Sequence, residues 1–356
     1  MITVMLKPVS SLCNLSCQYC YYKGVHSDNV KTTDSVMLVD TVELLASQFK
    51  SAGVKKIAIG FHGGEPLIAG HEFYRQFFSI MDYSGIDCVY SIQTNATILD
   101  YDLLKLFKQN RVLVGVSIDG LKLLHDRNRR FHNGSGSYDI VKKNISLFQK
   151  EGLCVNCLTV VDDLISINIK KVYEALKKMR LRWFQFIPPL PFTTKITADE
   201  YAFFLHSLWD LYVSDIMSDN RISIRWFDAV LSRALGKTVY SCAAGGKCII
   251  TPVIEKNGDV YPCDFFCTAE WKLGNLWDTD LFSILNSNTL SAFMSFAGDK
   301  GFCNKCEVFY LCGGICYAYR DSYLCPAVRR FLIAREKQIV SLAGYIKHAF
   351  GEAIGK

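Results

Sequence analysis

Apolar residues gather into six short runs in the first half of the chain: Ile2–Lys7, Lys56–Phe61, Cys88–Gln93, Val112–Ile118, Cys154–Val161 and Trp183–Ile187. Each is rich in β-branched or aromatic residues and nearly continuous in its hydrophobicity, the pattern of a strand covered on both faces. Between them the apolar spacing changes to three and four residues, over Ser35–Lys50, His71–Met81, Tyr101–Gln109, Tyr138–Lys150 and Ile167–Met179, which predicts helices. Strand alternating with helix predicts a parallel sheet. Six such units fit a curved sheet or partial barrel better than a closed eight-fold one. The fold class expected is therefore α/β.

In such folds the working residues stand at the carboxyl ends of strands. The second run ends in "FHGGEP" (His62 to Pro66), the third in "IQTN" (Gln93, Thr94, Asn95) and the fourth in "SIDG" (Ser117 to Gly120). Three cysteines follow the first, Cys13, Cys17 and Cys20 in "SSLCNLSCQYCYY". All four groups fall on one rim.

After Pro188–Pro189–Leu190–Pro191 the alternation stops, and a helical pattern over Asp199–Ser218 leads into "RISIRWFDAVLSRAL" from Arg221. From about Tyr240 the chain is dense in cysteine and punctuated by glycine, which marks a second, smaller domain. Asn257–Gly258 between two β-rich runs predicts a hairpin with a two-residue turn. Ala327–Phe350 is mostly helical, with a solvated basic face. The divisions expected are 1–220, a linking segment 221–239, a cysteine-rich domain 240–326 and a C-terminal helix 327–356.

Composition narrows the class. Half the residues are hydrophobic and 21% are charged, which suits a globular chain with a large core. No apolar run has the length to cross a bilayer, and "MITVMLKPVSS" reads as a strand and not as a signal peptide. A cytoplasmic location follows. Fifteen cysteines in that compartment point to metal ligands and not to disulfides. The net charge of +6 comes without any long basic run, so no nucleic-acid or membrane partner is expected.

Three thiolates at x3 and x2 spacing complete neither a structural zinc site nor an ordinary iron–sulfur cluster. One iron of a [4Fe–4S] cube would stay open to another ligand. A catalytic zinc is the competing reading, although it seldom takes three thiolates so closely spaced. In the second half, Cys242-x5-Cys248-x14-Cys263 supplies three thiols. Cys303-x2-Cys306-x5-Cys312-x3-Cys316-x8-Cys325 supplies five. Together they suffice for two four-cysteine clusters, or for two structural zinc sites. Cys88, Cys154 and Cys157 are expected to be small core residues, and Cys267 to serve packing.

The C-x3-C-x2-C motif with "GGEP" after the second strand resembles the radical S-adenosylmethionine (SAM) enzymes, and the later cysteines resemble their SPASM extension. The resemblance implies a partial (β/α)6 radical SAM barrel, then a small iron–sulfur SPASM domain and a C-terminal helix. It implies SAM and three [4Fe–4S] clusters. One is held by Cys13, Cys17 and Cys20, with SAM on the open iron. A second is held by Cys242, Cys248, Cys263 and Cys316, and a third by Cys303, Cys306, Cys312 and Cys325.

Across nearly the whole chain, "KPVSSLCNLSCQYCYY", "FHGGEPLIAG", "SIQTNATI", "VGVSIDG", "RISIRWFD", "NGDVYPCDFF" and "LGNL" are similar to anaerobic sulfatase-maturating enzymes. That likeness implies oxidation of a sulfatase cysteine or serine to Cα-formylglycine through a 5′-deoxyadenosyl radical. It implies SAM contacts at Tyr19, Gly64, Ser117, Arg129 and Leu190, with Gln93 and Asn95 on the rim, and Asp264 as the catalytic base. The partners implied are a sulfatase polypeptide with a Cys/Ser-x-Pro-x-Arg segment and a low-potential donor such as flavodoxin or ferredoxin, with the enzyme a monomer. Arg225, Trp226 and Asp228 suit either a peptide cleft or a surface helix. Three positions depart from the pattern: Ala96 stands where glycine is usual, His62 where glutamine is expected, and "FIPPLP" is proline-rich. The alternative is a maturase of another peptide precursor that forms thioethers or crosslinks or epimerises residues. Such enzymes often carry an N-terminal precursor-binding domain, whereas this sequence opens on its first strand. From another class, an electron carrier or zinc scaffold would not need the three-cysteine site.

Overall fold

A computed structural model of the 356-residue chain describes residues 2–22, 36–239, 241–242, 244–298 and 301–350. The six expected strands are present to within one residue at either end: β1 (Ile2–Lys7), β2 (Lys56–Phe61), β3 (Asp87–Thr94), β4 (Leu113–Ser117), β5 (Val155–Val160) and β6 (Trp183–Ile187). Short strands follow, β7 (Ser223–Ile224), β8 (Val253–Glu255), β9 (Asp259–Tyr261) and β10 (Gly274–Asn275). The chain divides into two compact units. The first is Met1–Ile118, His125–Asn156 and Ile250–Met294; the second is Asp119–Leu124, Cys157–Ile249 and Ser295–Lys356.

In the first unit the strands lie in the order β10-β9-β8-β1-β2-β3-β4. β1 to β4 are parallel, as the alternation predicts. The helices α1 (Val39–Ser51), α2 (Gly70–Ser84), α3 (Tyr101–Gln109), α4 (Lys122–Asn128) and α5 (Tyr138–Lys150) separate the strands along the chain; α4 begins in the second unit. Ser35, where the first helix is expected to begin, lies outside the described residues. Phe61 of β2 meets Tyr74, Phe77 and Phe78 of α2 edge to face, with Tyr90 of β3 beside them. This aromatic layer buries the outer face of the sheet.

A hairpin joins β8 to β9 as expected, but its turn has three residues, 256–258, and not two: Gly258 N–H donates to Glu255 O at 2.9 Å, and Gly258 sits at φ +87°, where a β-carbon is strained. The periodicity does not reveal where that hairpin goes. β8 runs parallel to β1, pairing Met5 with Val253, Leu6 with Ile254 and Lys7 with Glu255. Residues from the cysteine-rich second half thus extend the sheet at its first strand.

The second unit holds β5 from Cys157 onward, then β6 and β7, which pair in parallel. Its helices are α6 (Asp163–Ile167), α7 (Ile169–Lys178), α8 (Ala198–Met217), α9 (Arg225–Ala234), the end of α11 (Asn288–Gly298), α12 (Phe309–Cys312) and α13 (Leu324–Phe350); α10 (Leu281–Ile284) and most of α11 belong to the first unit. A capping box at Thr197 and Glu200 starts α8. Trp209, Phe227 and Phe331 form its aromatic core. Neither run of strands closes into a barrel by itself. The fold is mixed α/β, as expected.

Two further local expectations are corrected, and some short elements left no pattern to read. The helix expected over Ile167–Met179 is two. Asp162 caps an earlier start by accepting from the Ile165 N–H at 2.8 Å, and the backbone leaves helical geometry at Asn168. Cys154 is exposed and Cys88 half-buried, whereas Cys157 is buried. Side chains alternate along a strand, so Cys157 points inward, while Cys154 precedes β5 and Cys88 lies near the start of β3. Finally α4 and the short helical turns among the later cysteines are too brief to show a period.

Candidate active site

The cysteine loop leaves β1 and is braced from one side. Ser16 N–H donates to Arg130 O at 2.7 Å and Gln18 N–H to Asn128 O at 3.0 Å. Leu15 bridges to Phe131, and His132 Nε2 lies 2.9 Å from Cys13 O. Cys13, Cys17 and Cys20 are all half-buried. Cys13 Sγ accepts from the Leu15 N–H at 3.4 Å and from Asn95 Nδ2 at 3.7 Å. Burial pushes the Cys13 thiol up to about 12, with Glu65 and the thiols of Cys17 and Cys20 adding to the rise. A cluster of soft donors, with the Cys13 thiol resisting ionisation on its own, suits a cationic iron centre, which stabilises thiolates.

"GGEP" braces the same loop from the other side. Gly64 N–H donates to Ser10 O and Glu65 N–H to Leu12 O, both at 2.8 Å. A β-carbon would stand 2.4 Å from Ser10 O on Gly63, at φ +115°, and 2.1 Å from Leu12 O on Gly64. The glycines therefore admit the cysteine loop itself. Glu65, buried, accepts from Leu67 N–H at 3.0 Å, Thr94 Oγ1 at 2.7 Å and Asn95 N–H at 2.6 Å. Burial raises its carboxyl to about 7 despite those bonds. One carboxylate thus ties the end of β2 to the end of β3. Next to it Ala96 adopts φ +54°, a left-handed conformation that favours glycine.

Of the expected SAM contacts, Tyr19, Gly64, Ser117 and Arg129 belong to this unit. The Arg129 guanidinium lies 5.2 Å from the Tyr19 ring centre, a cation–π distance. Ser117 Oγ accepts from Gln93 Nε2 at 3.1 Å, and Asn95 Nδ2 donates to Asn14 Oδ1 at 2.9 Å. Leu190 belongs to the second unit, where it is buried and its carbonyl accepts from Thr193 N–H at 2.8 Å.

Asp264 stands in a nest of donors that sequence reading missed. Lys7 Nζ lies 2.8 Å from its Oδ1 and 3.1 Å from Glu255 Oε1, with the lysine side chain fully buried. Tyr22 OH donates to Oδ1 at 3.1 Å and Tyr21 OH donates to Oδ2. His62 Nδ1 is 3.7 Å from Oδ2. Lys7 also donates to Cys267 Sγ at 3.3 Å, so that cysteine does more than pack. Burial opposes ionisation of Asp264, but Lys7, His62 and the donated hydrogen bonds outweigh it and hold the carboxyl well below its usual range. The signals were present: a lysine ending an apolar strand, and two tyrosines directly after the last cysteine of the loop.

In the second unit Cys303, Cys306, Cys312 and Cys325 line one cavity with Phe309, Val328 and Arg329. Burial raises the Cys312 thiol to about 11, with the other three thiols adding to the rise after it. Four thiols around one apolar-walled cavity fit a four-cysteine centre. Cys242, Cys248 and Cys316 belong to this unit as well, and Cys263 to the first, immediately before Asp264.

Comparison with known proteins agrees. Residues 8–182 match the radical SAM superfamily, and residues 242–307 match an iron–sulfur cluster-binding domain, SPASM. The chain is 34% identical to a cysteine-type anaerobic sulfatase-maturating enzyme of Clostridium novyi (strain NT), over 96% of each chain. The chain belongs to the anaerobic sulfatase-maturating enzymes. A serine-type anaerobic sulfatase-maturating enzyme of Bacteroides thetaiotaomicron is 28% identical, covering 90% of this chain and 83% of its own. A solved structure of native anSMEcpe with bound AdoMet and Kp18Cys peptide superposes with a TM-score of 0.90 at 31% identity, over 97% of this chain and 99% of that one. As an anaerobic sulfatase-maturating enzyme with both modules, the protein uses SAM and [4Fe–4S] clusters. Among its described residues no helix is long and apolar enough to cross a membrane.

Proposed function

We propose that the protein oxidises a cysteine or serine side chain of a sulfatase polypeptide to Cα-formylglycine. When bound, SAM and the clusters supply a 5′-deoxyadenosyl radical that takes a hydrogen atom from the substrate Cβ and a centre that takes up the released electron. The chain's own part is to hold these groups and to receive the proton. Cys13, Cys17 and Cys20 would hold the SAM cluster. Tyr19, Gly64, Ser117, Arg129 and Leu190 would contact SAM. Cys242, Cys248, Cys263 and Cys316 would hold a second cluster, and Cys303, Cys306, Cys312 and Cys325 a third.

One observation carries the reading. Tyr21, next to Cys20, donates a hydrogen bond to Asp264, next to Cys263. A carboxylate thereby stands beside the cysteine loop, kept ionised by Lys7. As the side-chain heteroatom of the substrate loses its proton, Asp264 would accept it, and Lys7, Tyr21 and Tyr22 fix where that acceptor points. A low-potential donor such as flavodoxin or ferredoxin would supply electrons to a cytoplasmic, monomeric enzyme.

The test is anaerobic reconstitution with iron, sulfide, SAM and a reductant, and a peptide carrying a Cys-x-Pro-x-Arg segment. Formylglycine formed together with 5′-deoxyadenosine supports the proposal. 5′-Deoxyadenosine with this peptide and its serine counterpart both unchanged favours a maturase of some other peptide. Iron without any SAM cleavage removes the radical chemistry altogether.

A further inference from the structure

Asn95, directly after β3, is pinned by its backbone on both sides. Its N–H donates to Glu65 Oε2 at 2.6 Å. The next residue, Ala96, donates its N–H to Thr94 Oγ1 at 2.9 Å, and its carbonyl accepts from Asn144 Nδ2 at 2.8 Å. From this fixed root the buried Asn95 side chain reaches the cysteine loop. Asn95 Oδ1 accepts from Thr97 N–H at 2.9 Å and from Thr97 Oγ1 at 2.7 Å. Asn95 Nδ2 donates to Asn14 Oδ1 at 2.9 Å, and Asn14 Nδ2 donates to Thr97 Oγ1 at 2.8 Å. Side chains of Asn14, Asn95 and Thr97 therefore close a ring of hydrogen bonds.

That ring settles which way the Asn95 amide points. A backbone N–H can only donate, so the amide oxygen must face Thr97 and the nitrogen must face Asn14. Nitrogen carries two hydrogens. Asn14 takes one, and the other is directed at Cys13 Sγ, 3.7 Å away. The turn onto Thr97 does not need this nitrogen, because aspartate makes the same turn through a carboxylate oxygen. What aspartate lacks is a donor for the sulfur. Cys13 Sγ also accepts from Leu15 N–H at 3.4 Å, so a rigid side-chain dipole joins a backbone dipole on one thiol.

We propose that Asn95 is a positioning residue for the Cys13 thiolate, and that its N–H···S bond raises the reduction potential of the iron–sulfur cluster that Cys13 would hold. The proposal rests on that ligand assignment in the function proposed above. One electron from a low-potential donor adds negative charge that the thiolates share, and a hydrogen bond donated to sulfur stabilises the more negative state. Asn95 itself gives up no proton and stays neutral. Its effect is to ease the electron's entry.

The experiment compares wild type, Asn95→Ala and Thr97→Val, each reconstituted and titrated against potential. The readout is the electron paramagnetic resonance signal that changes when SAM is added. Asn95→Ala should lower the reduced-to-oxidised ratio about tenfold at a given potential, a shift of about 59 mV for a one-electron couple. Thr97→Val keeps the backbone N–H that orients the amide, so its ratio should stay within about threefold of wild type. No change in Asn95→Ala, or equal shifts in the two variants, overturns the proposal. A measurement on wild type guards against an alanine variant that fails to hold its cluster. With heavy nitrogen placed only in asparagine side-chain amides, the SAM-sensitive signal should show a weak coupling to that nucleus, and absence of the coupling overturns the proposal. A wild type with iron but no SAM-sensitive signal would overturn the proposed function as well.

Discussion

A lysine without solvent exposure needs its charge answered on the spot. Lys7 has Glu255 at 3.1 Å and Asp264 at 2.8 Å, and its ammonium lies 4.7 Å from the Tyr22 ring centre. The arrangement keeps Asp264 ionised, so in the proposed reaction it would be a ready acceptor. Asp264→Asn should lower formylglycine formation by about 10²–10³-fold with a much smaller change in peptide affinity, read by mass spectrometry of the peptide and by titration. Gly64 carries a second prediction. A methyl group there would meet Leu12 O at 2.1 Å, so Gly64→Ala must push the cysteine loop away. The variant should purify with less iron per chain than wild type and lose SAM binding, measured by iron analysis and equilibrium dialysis. Asp264 was singled out in the sequence by family likeness, as the residue after Cys263. Lys7, Tyr21, Tyr22 and His62 were not assigned their roles. Their significance comes from which oxygen of Asp264 each one faces, and spacing along the chain carries no such information.

At the level of elements, strands and most helices were legible because burial on both faces leaves a nearly continuous apolar run, and burial on one face leaves a period. The partner of β1 was not. A three-residue strand has too little pattern to declare its neighbour, and parallel pairing between distant segments leaves no turn to read. The helix pair α7 and α8 offers a test of how such elements are held. Asp215 on α8 accepts from Lys177 Nζ at 2.8 Å and Tyr173 OH at 2.6 Å on α7, and from Asn220 Nδ2 at 3.0 Å. Burial opposes its ionisation, but these three partners prevail and its carboxyl lies below the ordinary value. A lowered folded pKa means stability that is fully present above the unfolded value of about 3.9 and is lost as pH falls through the folded one. Asp215→Ala should cost about 2–4 kcal/mol at neutral pH. In urea titrations from about pH 4 downward, the range below the unfolded carboxylate value, its stability should fall less steeply than that of wild type.

At the scale of the whole molecule, cysteine usage allows a count. If the three proposed ligand sets are all filled, the reconstituted protein should hold about twelve irons. Cys312→Ala should leave about eight, with the charge-transfer absorbance of the remaining clusters retained. Iron content unchanged in that variant would remove Cys312 from the ligands. The two modules were legible because thiol spacing is a short-range signal. The division of the later cysteines between two centres came from family likeness, since eight thiols admit many pairings and spacing does not choose among them.

The pairing of Lys7 with Glu255 has a consequence for synthesis. Chains are made from the amino end, and the edge of β1 has no neighbour on that side until the hairpin has left the ribosome. The buried ammonium likewise waits for its carboxylates. A nascent chain stalled before that point would present a sticky, half-finished sheet with an unmatched charge. Release of the late segment would therefore act as a timing step, completing the nest around Lys7 only once the chain has been made past Asp264.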